Sequence, residues 1–172
     1  MILLDLINLN KIRRAILYAF AIAVTLWLQT SVFSRIAPLG VKPFFVPVIV
    51  VAIGLWEGGV WGGVLGLLTG LYCDLNMTGS TVTFLILFAI LGFLSGALAD
   101  FLINRRFVAY LLLTAGALVL TAFCQIAPLW IFRGTEFSAL AVVGGLQAAW
   151  SLPFAVPAYF AAKAISGGAR PE

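Results

Sequence analysis

The sequence predicts an all-α integral membrane protein, a bundle of six transmembrane helices with both ends in the cytoplasm. Three observations lead there. Of 172 residues, 63% are hydrophobic and 9% charged, against about a quarter charged in an ordinary soluble domain. The mean hydropathy is +1.16. The apolar residues fall in long runs, and the basic residues between those runs select one topology. So few charges cannot cover a surface in water, so lipid is the expected solvent. One hydrophobic bundle takes up nearly all of the chain. We therefore expect a basic cytoplasmic N-terminus (1–14), a single membrane domain (15–163) and a cytoplasmic tail (164–172).

A spanning helix needs about 20 mainly apolar residues, because each adds ~1.5 Å and the hydrocarbon core is ~30 Å thick. The first run, Ala15 to Ser34, follows Lys11, Arg13 and Arg14, with Asp5 further out. It is long and no A-x-A-like site follows it, which reads as an uncleaved anchor rather than a signal peptide. A break from Arg35 to Pro43 holds Pro38, Gly40 and Lys42. The stretch from Phe44 to Tyr72 admits one long helix or two short ones split at Glu57-Gly58-Gly59. Pro43 suits the start of the second helix, where a missing N–H costs little. Further segments run over Val82–Leu102, Phe107–Phe132 and Ser138–Ala162, the last interrupted by Pro153 and Pro157.

Basic residues concentrate on the cytoplasmic side of membrane proteins, and this decides the ambiguous stretch. With two short helices there, Lys11, Arg13, Arg14, Arg105, Arg106, Lys163 and Arg170 are inside, and Arg35, Lys42 and Arg133 are outside. That is seven against three of the ten lysines and arginines. With one long helix, only Lys11, Arg13, Arg14 and Arg133 stay inside, four against six. Two helices, and hence six spans, satisfy the rule. The second and third are then short, and should pack inside the bundle or sit in a thinned bilayer.

The most specific pattern lies in those two helices. Gly54, Gly58, Gly62, Gly66 and Gly70 recur every fourth residue, Asp74 continues the series, and Gly59 and Gly63 widen it. Residues four apart share a helix face, and small residues let helices in lipid approach closely. The pattern predicts a close-packing seam, within the bundle or toward a partner helix. The next segment repeats it as Gly92, Gly96 and Asp100, and Ala15, Ala19 and Ala23 form a smooth strip on the first. Asp74 sits where a polar turn begins, as an interfacial cap or brace or as a partner contact. Arg133 and Glu136 bound the outer turn between the last two spans and are placed to pair across it. Gln29, Gln125 and Gln147 lie within or near spans as possible interhelical hydrogen-bonding groups, worth ~1 kcal/mol or less each.

Several chemistries have no support. The chain has no histidine, the commonest metal ligand and neutral-pH acid or base. Cys73 and Cys124 stand alone in apolar surroundings and read as small hydrophobes. No nucleotide loop, carbonyl filter, arginine run or midplane acid pair is present. No enzyme, cofactor or metal is expected. The net charge is +4, but the basic residues flank apolar segments without interleaved aromatics. They read as topology signals and contacts to anionic membrane lipids, with no nucleic acid.

The basic start, the Pro43–Pro47 stretch, the run GVWGGVLGLLTGLYCDL from Gly59 to Leu75, the turn Asn76–Ser80 and the helix with Gly92 and Gly96 together resemble the rod shape-determining protein MreD family. The specific part covers residues 43 to 100. The resemblance implies a non-enzymatic scaffold or regulator of the bacterial elongation machinery, which builds side-wall peptidoglycan at the cytoplasmic membrane. It implies an MreC-like single-span partner, and direct or indirect association with RodA, a penicillin-binding transpeptidase and MreB. It also implies a fold similar to the substrate-binding subunits of energy-coupling-factor transporters. Those subunits supply the alternative, a vitamin-binding membrane subunit, whose pocket would draw on Gln29, Ser31, Arg35, Asp74 and Asn76, with the alanine strip facing the coupling subunit. A lipid- or ion-handling transporter is a third class, supported only by the broken last helix.

The six-span topology places both Asn76 and Arg133 outside. Cysteines introduced there should react with an impermeant thiol reagent on intact cells; protection of the one at 133 would mean five spans.

Overall fold

A computed structural model describes residues 9–33, 35, 40–78, 82–101, 107–133 and 136–167. Residues 36–39 with Pro38, residues 79–81, Arg105, Arg106 and residues 168–172 with Arg170 lie outside them. All elements among the described residues are helical: α1 (Leu9–Ser31), α2 (Val46–Glu57), α3 (Gly59–Cys73), α4 (Thr83–Phe101), α5 (Phe107–Arg133), α6 (Phe137–Ser151) and α7 (Ala155–Ser166). A π-helical turn, Asp74–Thr78, extends α3, and a 3-10 turn, Leu152–Phe154, joins α6 to α7.

Among the described residues three stretches are long and apolar enough to cross a membrane: Ile12–Ser31, Phe107–Phe132 and Ser138–Ser166. The exterior is correspondingly apolar. Phe132 is 85% exposed, Val60 73% and Leu75 72%. Such a surface in water would be a large aggregation-prone patch; a lipid solvent removes that difficulty.

The centre of the bundle is α2. Every residue from Val46 to Trp56 is buried, as expected for a helix that is hydrophobic all round. It contacts α1, α3, α4, α5 and α7. Its 12 residues span about 18 Å, well short of the hydrocarbon core. A short helix can hold this position because neighbouring helices, rather than lipid, surround it. It starts two residues later than the Phe44 expected from the sequence. The helix begins at Val46 and Pro47 lies in its first turn. Pro43 stands in an irregular segment, 41–45, ahead of the helix.

Apart from Lys42 that segment is buried and must have its backbone groups bonded. Gln29 on α1 supplies two of the bonds: its Nε2 donates to the Pro43 carbonyl (2.8 Å), and its Oε1 accepts from the Phe45 N–H (3.3 Å). The Phe44 N–H donates to Ser151 Oγ at 2.9 Å, and Ser151 in turn donates to the Gln147 carbonyl at 2.7 Å. Aromatic rings fill the space around the segment. Phe45 stacks on Phe154 with centroids 4.6 Å apart, Phe33 meets both edge-on, and Phe44 lies against Phe84 at 5.4 Å.

At the opposite end, Tyr159 gathers Trp56, Phe107 and Tyr110 within 5.6, 5.2 and 5.2 Å. Tyr110 donates to the Val48 carbonyl and Tyr18 to the Ala162 carbonyl, both at 3.2 Å. These bonds satisfy phenols that are buried. Gln147 Nε2 donates to Gln125 Oε1 at 3.2 Å, linking α6 to α5. The helix ends also differ in detail from the sequence expectation. The helix α1 starts at Leu9, so Arg13 and Arg14 lie on it rather than before it. Basic residues are good helix formers, and no Pro or Gly precedes them.

Candidate functional site

The glycine series and Asp74 meet at the junction of α2, α3 and α4. The chain breaks at Gly58, whose φ of 91° and ψ of 171° end α2 and start α3. Only glycine adopts that φ readily. The four-residue series is therefore not one continuous seam. Gly54 lies on α2, Gly58 makes the turn, and Gly62, Gly66 and Gly70 lie on α3.

The halves are brought together again by the reversal. A β-carbon on Gly62 would stand 2.6 Å from the Gly54 Cα and 3.0 Å from the Gly92 carbonyl carbon. One on Gly66 would stand 2.8 Å from the Phe88 carbonyl carbon, and one on Gly70 2.6 Å from the Leu85 Cα. Gly92 and Gly96 on α4 would collide in the same way with the Gly62 carbonyl and with the Gly58–Gly59 backbone. So the glycines of α2, α3 and α4 share one surface, where backbone touches backbone. Gly59 belongs to it too, since its β-carbon would stand 3.0 Å from the Phe93 carbonyl oxygen. Gly116 on α5 and Gly145 on α6 are different: a β-carbon there would meet nothing within 4 Å.

Asp74 closes the far end of the seam. It is 5% exposed, and its carboxylate accepts from the backbone N–H groups of Phe84 (3.1 Å) and Leu85 (2.8 Å). These belong to the first turn of α4, where N–H groups lack intrahelical partners. A carboxylate there also opposes the positive helix end. Asp74 therefore caps the following helix, a more distant role than bracing its own turn. Asn76 is taken locally, with Nδ2 donating to the Tyr72 carbonyl at 2.9 Å. The side chains of Asp100 and Arg133 lie outside the described residues, so the Gly92–Gly96–Asp100 parallel and the expected Arg133–Glu136 pair extend beyond them.

The alanine strip has a different setting. The face of α1 turned to the bundle carries Tyr18, Ile22, Leu26 and Gln29, all buried. Ala15 is half-buried and Ala19 and Ala23 are exposed. The last two line an open groove of about 470 Å³ between α1 and α3, with Leu65, Leu68 and Tyr72 on the far wall and Trp27 and Thr30 toward one end. Among the described residues no helix covers Ala19 and Ala23. Sequence reasoning missed the extent of the clamp around Gln29. Its signal was present, since a glutamine in an apolar run is costly unless bonded.

Among the described residues no group of three or more Cys, Asp or Glu could hold a metal ion. Comparison with protein families, with curated proteins and with solved structures finds no match.

Leucine at Gly62 or Gly66 should prevent the backbone approach and destabilise the bundle by about 3 kcal/mol or more, read as loss of folded protein on size-exclusion in detergent. Leucine at Gly116 should leave that profile unchanged. Replacement of Asp74 by Ala should lower stability by about 2 kcal/mol and by Asn by less, measured as thermal unfolding in detergent; equal losses would mean that charge and acceptor geometry do not matter here.

Proposed function

We propose that the chain is a six-span protein of the bacterial cytoplasmic membrane, with both ends inside, and a non-enzymatic scaffold of the cell-elongation machinery. In this reading it binds an MreC-like single-span protein and, directly or through it, RodA, a penicillin-binding transpeptidase and the MreB assembly. The observation that carries it is the contrast between the two small-residue patterns. The glycines are consumed inside the bundle, where they hold α2, α3 and α4 together. The exposed Ala19 and Ala23 line a groove open along its length between α1 and α3. A groove with small residues on one wall admits the close approach of one further helix, which is what a single-span partner offers.

The same exposed strip gives the second reading its support, since a vitamin-binding transporter subunit would use it against a coupling subunit. The polar groups that a vitamin would need favour the scaffold. Ligand sites need convergent polar groups. Gln29 spends its amide on Pro43 and Phe45. Asp74 spends both oxygens on α4. Phe33, Phe45 and Phe154 fill the space beside Gln29.

Purification in mild detergent should retain a single-span partner, and A19F with A23F should release most of it while the chain stays folded. A preparation with no such partner, but with a small polar molecule found by mass spectrometry, would favour the transporter subunit.

A further inference from the structure

The opposite flank of α1 carries a second groove, and it differs from the first in having charge at one end. It runs between α1, α2 and α7, has a volume of about 340 Å³, and is lined by apolar side chains such as Leu17, Leu28, Val48, Phe154, Ala158 and Ile165. Along α1 it extends from Leu17 to Leu28, about 16 Å at 1.5 Å per residue. That is about half the hydrocarbon thickness, or one leaflet.

Arg13 and Arg14 stand at the Leu17 end. Steps of three and four residues along a helix stay on one face. Arg13 therefore continues the row through Leu17, Phe20 and Val24, and Arg14 the row through Leu17, Ala21, Thr25 and Leu28. The same end of α7 is close: the Arg14 guanidinium lies 3.9 Å from where a β-carbon on Gly167 would stand, two residues beyond Ile165. Arg13 is exposed and Arg14 half-buried. Neither has a carboxylate partner among the described residues. The C-terminal end of α7 contributes only about half a negative charge, so the described residues at this end of the groove are net positive. Lys163, two residues from Ala161, falls on the other side of α7 from the groove.

We propose that this groove is a binding site for an anionic glycerophospholipid, with one acyl chain along α1 and the phosphate at Arg13 and Arg14. The shape matches an acyl chain, because the groove is narrow, apolar and one leaflet long. The charge selects the headgroup, because two arginines with no carboxylate partner among the described residues favour a phosphodiester that carries net charge over a zwitterionic one. The site depends on the membrane setting of the chain and not on its partners.

The test uses the full chain in detergent, with native mass spectrometry against dioleoylphosphatidylglycerol, dioleoylphosphatidylcholine and sn-glycerol 3-phosphate. Phosphatidylglycerol should bind more tightly than phosphatidylcholine, with a loss of about fivefold for each of R13Q and R14Q. K163Q should retain the preference, and A158W should weaken both lipids by filling the groove. Equal binding of the two lipids by the unaltered chain would overturn the proposal. So would a preference that survives R13Q with R14Q, or competition by glycerol phosphate as strong as by the lipid. Recovery of the chain in the membrane fraction, scored before extraction, separates failure of the lipid site from failure of the membrane assignment.

Discussion

The structure depends on the approach of the α4 backbone to the backbones of α2 and α3. Gly54, Gly62 and Gly92 add no side chain of their own where the three helices meet, the Ser95 hydroxyl lying beside Gly54, and Gly66, Gly70 and Gly96 extend the contact. In lipid there is little hydrophobic gain in pressing one apolar helix on another, so association relies on dispersion and close fit. Dispersion falls off steeply with a gap of even a fraction of an ångström. A single methyl on this surface would therefore forfeit contact along much of the helix rather than at one residue. With α3 and α4 held in this way, α2 is enclosed on one side, and α5, α7 and α1 complete the enclosure.

The enclosure explains why α2 can be so short. A helix facing lipid at both ends must cover the hydrocarbon thickness, because no water is available for its terminal carbonyls and amides. At the Val46 end of α2 the chain that leads in, 41–45, has its backbone groups bonded by Gln29 and Ser151. At the Glu57 end the Gly58 N–H returns to the Gly54 carbonyl at 3.0 Å. Asp74 does the corresponding work for α4, whose first turn lies beside it. Gln29, Ser151 and Asp74 thus serve helix ends, which is where an apolar solvent leaves the backbone in need.

Much of this was legible in the sequence, for reasons that differ by residue. The glycine spacing was legible because periodicity is a local property, and the reversal at Glu57-Gly58-Gly59 because charge placement weighed against one long helix. What periodicity could not show is that Gly58 leaves the helix, so that Gly54 and Gly62 meet across a turn rather than along one face. Asp74 was recognisable as a cap from its position at a helix end. The N–H groups it accepts from lie ten and eleven residues downstream, beyond the reach of local capping rules. Gln29 was conspicuous as a polar group in an apolar run, but its partners, Pro43 and Phe45, follow a loop whose path depends on the fold. The aromatic filling by Phe33, Phe45 and Phe154 was not legible, because phenylalanines are frequent throughout the chain and only the fold selects three.

The first helix shows why composition alone does not identify an interface. Its buried stripe, Tyr18 to Gln29, is anchored by a tyrosine and a glutamine that reach other segments. Both flanks remain open, and each is apolar, so hydropathy treats them alike. They differ in what bounds them. One flank is smooth, with Ala19 and Ala23 facing Leu65 and Leu68 across the gap and an aromatic toward one end, a shape suited to another helix. The other is a narrow channel reaching one end of the bundle, where Arg13 and Arg14 stand. A second helix entering there would bring its own backbone past two guanidinium groups that require an acceptor, whereas a phosphodiester supplies that acceptor and its chain fills the channel. Packing thus favours protein on one side of α1, and charge favours lipid on the other.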